Sequence, residues 1–126
     1  MTVRFAAICI DSIDPEPLAQ FWCQVLDWAV INREEDGLSI GPADGDGPQI
    51  DFFAVPERKA GKNRVHLDVR AEGSTTEEEL DRLLALGARR SDIGQGPVLS
   101  WVVLADPEGN EFCLLGRAGW ALAGEA

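Results

Sequence analysis

The stretch Asn63-Arg64-Val65-His66-Leu67-Asp68-Val69-Arg70 holds the sole histidine of the chain and alternates in the manner of a half-buried strand. Val65, Leu67 and Val69 fall on one side, His66, Asp68 and Arg70 on the other. An imidazole in such a place can ligate a metal, act as a general base or simply hold a hydrogen bond in a cleft. Asp68 can join it or pair with Arg64 or Arg70. A second chemical group comes late in the chain, where Glu111 follows the tight turn Asp106-Pro107-Glu108-Gly109-Asn110. Beside such a turn Glu111 can simply be solvated. No Ser-His-Asp spacing, phosphate-binding glycine loop or paired-carboxylate hydrolase signature accompanies either residue.

The elements that must position these groups follow a repeated order. Val3 to Asp11 reads as a strand. Asp14-Pro15-Glu16-Pro17 then starts a helix, with Asp14 as cap and Pro15 at the first helical position. Leu18, Phe21, Trp22, Val25 and Leu26 give that helix an apolar stripe for packing on a sheet, and it ends near Asp27-Trp28. Strands are expected over 28–32, 38–40 and 49–55, separated by the turn Glu34-Glu35-Asp36-Gly37 and the glycine-rich loop 41–48. Residues 56–62 break the pattern and carry Arg58, Lys59 and Lys62, a solvated linker or an anion-holding cluster. After the His66 strand, Thr75 with Glu78, or Ser74 with Glu77, makes a capping box for a helix. Leu80, Leu83 and Leu84 form its buried stripe and Gly87 stops it. Strands at 88–90, 98–104 (with Trp101) and 111–115 complete the second half.

Each half thus reads β-α-β-β-β, which makes the chain an α+β protein of two tandem βαβββ modules. These are expected to form a curved mixed sheet around a cleft, with the helices on the outer face. One domain over 1–126 is expected, with module one at about 3–57, a linker at about 56–62, module two at about 63–115 and a tail at 116–126. Superimposing the halves sets Ala7 against His66 and Gly47-Pro48-Gln49 against Gly109-Asn110-Glu111. Strand parity places Ala6, Ile8, Ile10, Val65, Leu67, Val69, Phe112 and Leu114 under the helices. It sends Ala7, Cys9, Asp11, Gln49, Asp51, Phe53, His66, Asp68, Glu111 and Cys113 to the cleft side. Trp101 and Phe53 either stack on a planar ligand there or join the core, and Trp22 is core.

Composition narrows the partners. The 126 residues carry 22 acids against 11 Lys and Arg, a net charge of −11, which argues against nucleic acid or an anionic membrane surface. No apolar run approaches the ~20 residues of a membrane helix, and no secretory leader opens the chain, so a cytoplasmic protein is expected. Cys9, Cys23 and Cys113 are odd in number, widely spaced and without a CxxC pair, so neither a disulfide framework nor a zinc knuckle is expected.

Three stretches resemble the vicinal oxygen chelate superfamily. They are Asp14-Pro15-Glu16-Pro17-Leu18-Ala19-Gln20-Phe21-Trp22, Gly61 to Val69, and Leu104 to Leu115, the last similar to its C-terminal signature. The superfamily includes glyoxalase I, bleomycin-resistance proteins, extradiol dioxygenases and fosfomycin-resistance enzymes, and this chain looks most like its glyoxalase-like domain branch. Metal-using members set ligands on four equivalent strands around one divalent ion. Carried across, the positions are Ala7, Gln49 (or Asp51), His66 and Glu111. Alanine has no donor atom and Gln49 offers only a neutral carbonyl, so two firm ligands remain where a catalytic site keeps about three.

The resemblance therefore implies a small-molecule-binding protein of the bleomycin-resistance type. Its ligand cleft is lined by Ala7, Cys9, Gln49, Asp51, Phe53, His66, Asp68, Trp101, Glu111 and Cys113, and it has no full metal site and no expected cofactor. The alternative is a metal-dependent lyase, isomerase or dioxygenase using His66 and Glu111, with Gln49 as a third ligand. An interaction module without a small ligand is the third reading. A homodimer is implied by the resemblance.

Overall fold

The structure is a computed structural model that describes residues 1–91 and 101–116. Two compact units divide at Arg58 and Lys59. The first contains β1 (Ala7–Ser12), α1 (Pro15–Leu26), β2 (Ala29–Glu34), β3 (Gly37–Gly41) and β4 (Gln49–Ala54). The second contains β5 (Asp68–Arg70), α2 (Thr76–Leu86), β6 (Arg89–Arg90), β7 (Trp101–Ala105) and β8 (Glu111–Leu115). Their mixed sheets have the same topology, β1-β4-β3-β2 and β5-β8-β7-β6, so the expected pair of βαβββ modules is present.

In the first unit, α1 starts at Pro15, but the Asp14 side chain makes no cap hydrogen bond; its backbone N–H instead donates to Ser12 Oγ at 3.0 Å. Glu16 in the first turn is held by Arg33 of β2, with Nε 2.6 Å from Oε1. The helix ends where Asp27 turns left-handed at φ 56°. Leu18, Phe21 and Trp22 are buried with Leu38, Ile40, Ile50 and Phe52 of the sheet. Each full burial of a large apolar side chain stabilises the unit by about 1.5–3 kcal/mol.

In the second unit, the capping box falls on Thr75 and Glu78: Glu78 N–H donates to Thr75 Oγ1 at 3.1 Å and Thr75 N–H to Glu78 Oε1 at 2.9 Å. Gly87, at φ 121°, closes α2 in a conformation a side chain would strain. Of the expected stripe, Leu83 is buried and Leu84 is exposed. The apolar layer beneath α2 is completed by Val102, Leu104, Phe112 and Leu114.

Both leading strands are shorter than their alternation predicts. Val3 and Phe5 are exposed, and β1 begins only at Ala7, opposite Gln49. Its partner β4 begins at Gln49, so residues 3–6 have no ladder to join. Likewise β5 begins at Asp68, and Val65, expected under the helix, is exposed. Alternation reports which residues share a face, while strand length is set by where the partner starts. Expected strand residues 98–100 and the tail from 117 lie outside the described residues.

The turn before β8 is built on Asp106, which is fully buried. Its Oδ1 accepts from the backbone N–H groups of Glu108 and Asn110, both at 2.9 Å, and the Asn110 side-chain amide donates to both carboxylate oxygens. Gly109 takes φ 90° to close the loop.

Two stability outcomes follow. Thr75→Ala removes the reciprocal cap and should cost about 1 kcal/mol in urea denaturation. Asp106→Ala strands buried N–H donors and should cost about 3 kcal/mol, with Asp106→Asn losing less because one acceptor remains. An Asp106→Ala protein as stable as the parent would show that the turn does not depend on this carboxylate.

Candidate functional site

Alternation on three strands of the second unit sends one set of side chains to the face opposite α2. On β8 these are Glu111, Cys113 and Leu115, with Phe112 and Leu114 turned to the core. On β7 they are Trp101 and Val103, with Val102 and Leu104 turned inward. Asp68 of β5, and His66 two residues before it, share that face. The parallel pairing sets Asp68 opposite Cys113, and the Cys113 N–H donates to Leu67 O at 2.9 Å.

These residues line one cavity of about 330 Å³. Lys62, His66, Asp68, Glu111 and Cys113 supply its polar wall, and Trp101, Val103 and Leu115 its apolar wall. Trp101 is 42% exposed and so stands at the edge with free ring surface rather than in the core.

Glu111 is fixed from outside the strand. Lys59 Nζ lies 3.2 Å from Oε2, and the Asn63 backbone N–H donates to Oε1 at 3.0 Å. Partial burial acts to raise its carboxyl, but the N–H donors of Asn63 and of Glu111 itself, with the Lys59 ammonium, outweigh that and hold it below the ordinary value. Glu111 is thus an ionised, oriented acceptor at neutral pH. Two residues along β8, Cys113 is pushed the other way, to about 11, by burial and by the neighbouring Asp68 carboxylate. It is a thiol at neutral pH.

His66 Nδ1 lies 3.5 Å from Asp68 Oδ1 and 4.0 Å from Cys113 Sγ. Asp68 is therefore set against His66, one of the partners the sequence offered it. The donor atoms of His66, Asp68 and Cys113 all lie within 4.8 Å of one another.

Of the expected cleft residues, His66, Asp68, Trp101, Glu111 and Cys113 share this cavity. Ala7, Cys9, Gln49, Asp51 and Phe53 belong to the first unit, where Ala7 pairs with Gln49 and Cys9 with Asp51 across the β1–β4 ladder. The Gln49 amide donates to Asp51 Oδ1 at 2.9 Å, and Cys9 Sγ lies 3.9 Å from Asp51 Oδ2. Phe53 is 38% exposed. Sequence reasoning named Lys59 and Lys62 only as part of a solvated linker or an anion-holding cluster, and did not name Val103 and Leu115. The last two were readable by stepping two residues from Trp101 and Cys113. The lysines were not, since a basic stretch between elements has no periodicity to aim it.

The four superfamily metal positions, tested against these residues, do not supply a full ligand set. Ala7 has no donor, Gln49 offers only a neutral carbonyl oxygen while its NH2 donates to Asp51, and the Glu111 oxygens are already met by Lys59 and Asn63. His66 supplies a strong donor in the cavity wall, with Nδ1 facing Asp68 and Cys113.

Among the described residues, no helix is long and apolar enough to cross a membrane. A search of curated proteins returned no match. Among solved structures, a glyoxalase/bleomycin resistance protein/dioxygenase family enzyme from Burkholderia phytofirmans is 21% identical, with TM-score 0.65 over 88% of this chain and 96% of its own. The fosfomycin resistance protein FosX from Mesorhizobium loti is 12% identical, with TM-score 0.70 over 94% of this chain and 95% of its own. A FosX variant from Listeria monocytogenes, solved with manganese(II) and 1S,2S-dihydroxypropylphosphonic acid, is 14% identical, with TM-score 0.67 over 92% and 93% of the two chains. The glyoxalase-like domain family matches residues 7–115. With that match spanning both βαβββ units, the chain belongs to the glyoxalase-like domain family of the vicinal oxygen chelate superfamily.

Proposed function

We propose that this protein binds a small organic ligand in the cavity of its second unit, between the Trp101 ring and the polar wall that holds His66 and Glu111. The observation that carries the reading is the composition of that cavity. At about 330 Å³ it has the size of a small-ligand site, with one apolar side and a few convergent polar groups on the other. Glu111 is held in place by Lys59 and Asn63, so it can accept a hydrogen bond from a ligand hydroxyl or ammonium without first being ordered. Trp101 offers a ring face for stacking on a planar or cationic group. The acidic wall and aromatic edge together suit a cationic or hydroxylated aromatic compound. The missing donor at Ala7 favours binding over the metal-dependent lyase, isomerase or dioxygenase reading. That second reading keeps its support in the manganese(II) present in the Listeria monocytogenes relative.

A homodimer in the cytoplasm is part of the same proposal. Light scattering on the purified protein should give twice the 13.7 kDa chain mass; a monomer would remove the dimer from it.

Thermal-shift screening of metal-free protein against cationic and hydroxylated aromatic compounds tests the binding reading. A ligand at 100 times its Kd should stabilise the fold by about 2.7 kcal/mol. Trp101→Ala should weaken that ligand about tenfold, in line with the ~0.5–1.5 kcal/mol of an aromatic contact. Glu111→Gln should weaken it too. Absence of any stabilising compound, or one whose affinity ignores both substitutions, would end the reading.

A further inference from the structure

We propose that His66, Asp68 and Cys113 form a binding site for a thiophilic divalent cation of the zinc type, set in the wall of the second unit's cavity. The site deepens the ligand-cavity reading, and rests on it only for what occupies the space beside the ion.

The first argument is convergence on one atom. In a proton relay a histidine turns one ring nitrogen to each neighbour, so that a proton taken on one side is balanced by a hydrogen bond on the other. Here the same nitrogen, Nδ1, faces both Asp68 Oδ1 at 3.5 Å and Cys113 Sγ at 4.0 Å. A single Nδ1 cannot serve as both ends of a relay. A cation between the three groups meets all of them at once, with the Cys113 thiol giving up its proton to solvent as the sulfur binds.

Distances agree with that. Zinc–nitrogen and zinc–oxygen bonds of ~2.0–2.2 Å and a zinc–sulfur bond of ~2.3 Å put tetrahedral ligand atoms roughly 3.3–3.7 Å apart. The Nδ1 to Oδ1 spacing is already in that range, and the three donors lie within 4.8 Å of one another, a separation side-chain rotation can close.

The backbone holds two of the ligands in place, and His66 stands two residues ahead of β5. Asp68 and Cys113 are direct partners in the parallel β5–β8 ladder, and the Leu67 carbonyl is tied to the Cys113 N–H. Sites carried on paired strands keep their geometry better than sites on loops. One sulfur, one imidazole and one carboxylate suit zinc, cobalt or cadmium, whereas magnesium, calcium and manganese favour oxygen. Three protein ligands leave a fourth position open toward the cavity.

This ligand set is not the His66–Glu111 pair of the superfamily positions. It lies two residues further along both strands, at Asp68 and Cys113, and leaves Glu111 to Lys59 and Asn63. The first unit supplies an internal comparison. Cys9 and Asp51 are paired across its parallel ladder just as Asp68 and Cys113 are, with the two residue types exchanged. Ala7 stands where His66 would, so only two donors meet there and no third closes the set.

Cobalt(II) titration of tag-free, metal-stripped protein tests the proposal by spectroscopy, independently of any small molecule. One equivalent per chain should bind, with a thiolate-to-cobalt charge-transfer band and the intense visible bands of a four-coordinate ion, both displaced by zinc. Cys113→Ser should abolish the charge-transfer band and weaken zinc binding by more than about tenfold. Cys9→Ser and Glu111→Gln should leave the band in place. Circular dichroism checks that each variant folds; should Cys113→Ser fail to, Asp68→Asn reports instead through a shift of the visible bands. No thiolate band in the parent protein overturns the proposal. So does a band that survives Cys113→Ser, or metal binding lost in Glu111→Gln. A protein that binds cobalt in this way but no organic compound refutes only the ligand reading, and the reverse result refutes only the metal site.

Discussion

The register between β5 and β8 is the constraint on which the second unit's chemistry depends. Side chains on a strand alternate between faces, so a slip of one residue would turn Glu111 and Cys113 into the core and expose Phe112 and Leu114. The Asp106 turn prevents it. A fully buried carboxylate that accepts from Glu108, Asn110 N–H and the Asn110 amide admits one loop geometry, and β8 leaves that loop with Glu111 on the cavity side. The Leu67 to Cys113 hydrogen bond then sets where β5 meets it.

The same topology built twice gives a frame that tolerates different chemistry in its two copies. Both units order their strands alike and pair the first strand with the last in parallel. What differs is a handful of side chains at matching ladder positions: Ala7 for His66, Cys9 for Asp68, Gln49 for Glu111 and Asp51 for Cys113. The fold is common property of the superfamily, and function lies in such grafted residues. The first unit has kept the frame with weak donors, and the second has concentrated the imidazole, the oriented carboxylate and the thiol.

Electrostatics separates the two acidic groups of the cavity's polar wall into different roles. Glu111 is surrounded by N–H donors and an ammonium, which hold it ionised and fixed. Asp68 faces an imidazole and a thiol, in the same cavity wall as Lys62.

The order of elements, the capping box at Thr75 and the core role of Trp22 were all legible in the chain. They depend on local periods and on residues a few positions apart. The length of β1 and β5 was not, because a strand ends where its partner does, and that partner lies elsewhere in the sequence. Nor were the places of Lys59 and Lys62, whose stretch read as a solvated linker or an anion-holding cluster with no anion to name. The sequence by itself determined an α+β duplication with one histidine near the start of its second half. Only the tertiary structure decided that the histidine's Nδ1 comes within 4.0 Å of a thiol 47 residues away, because a parallel ladder, not sequence spacing, pairs Cys113 with Asp68, two residues beyond His66.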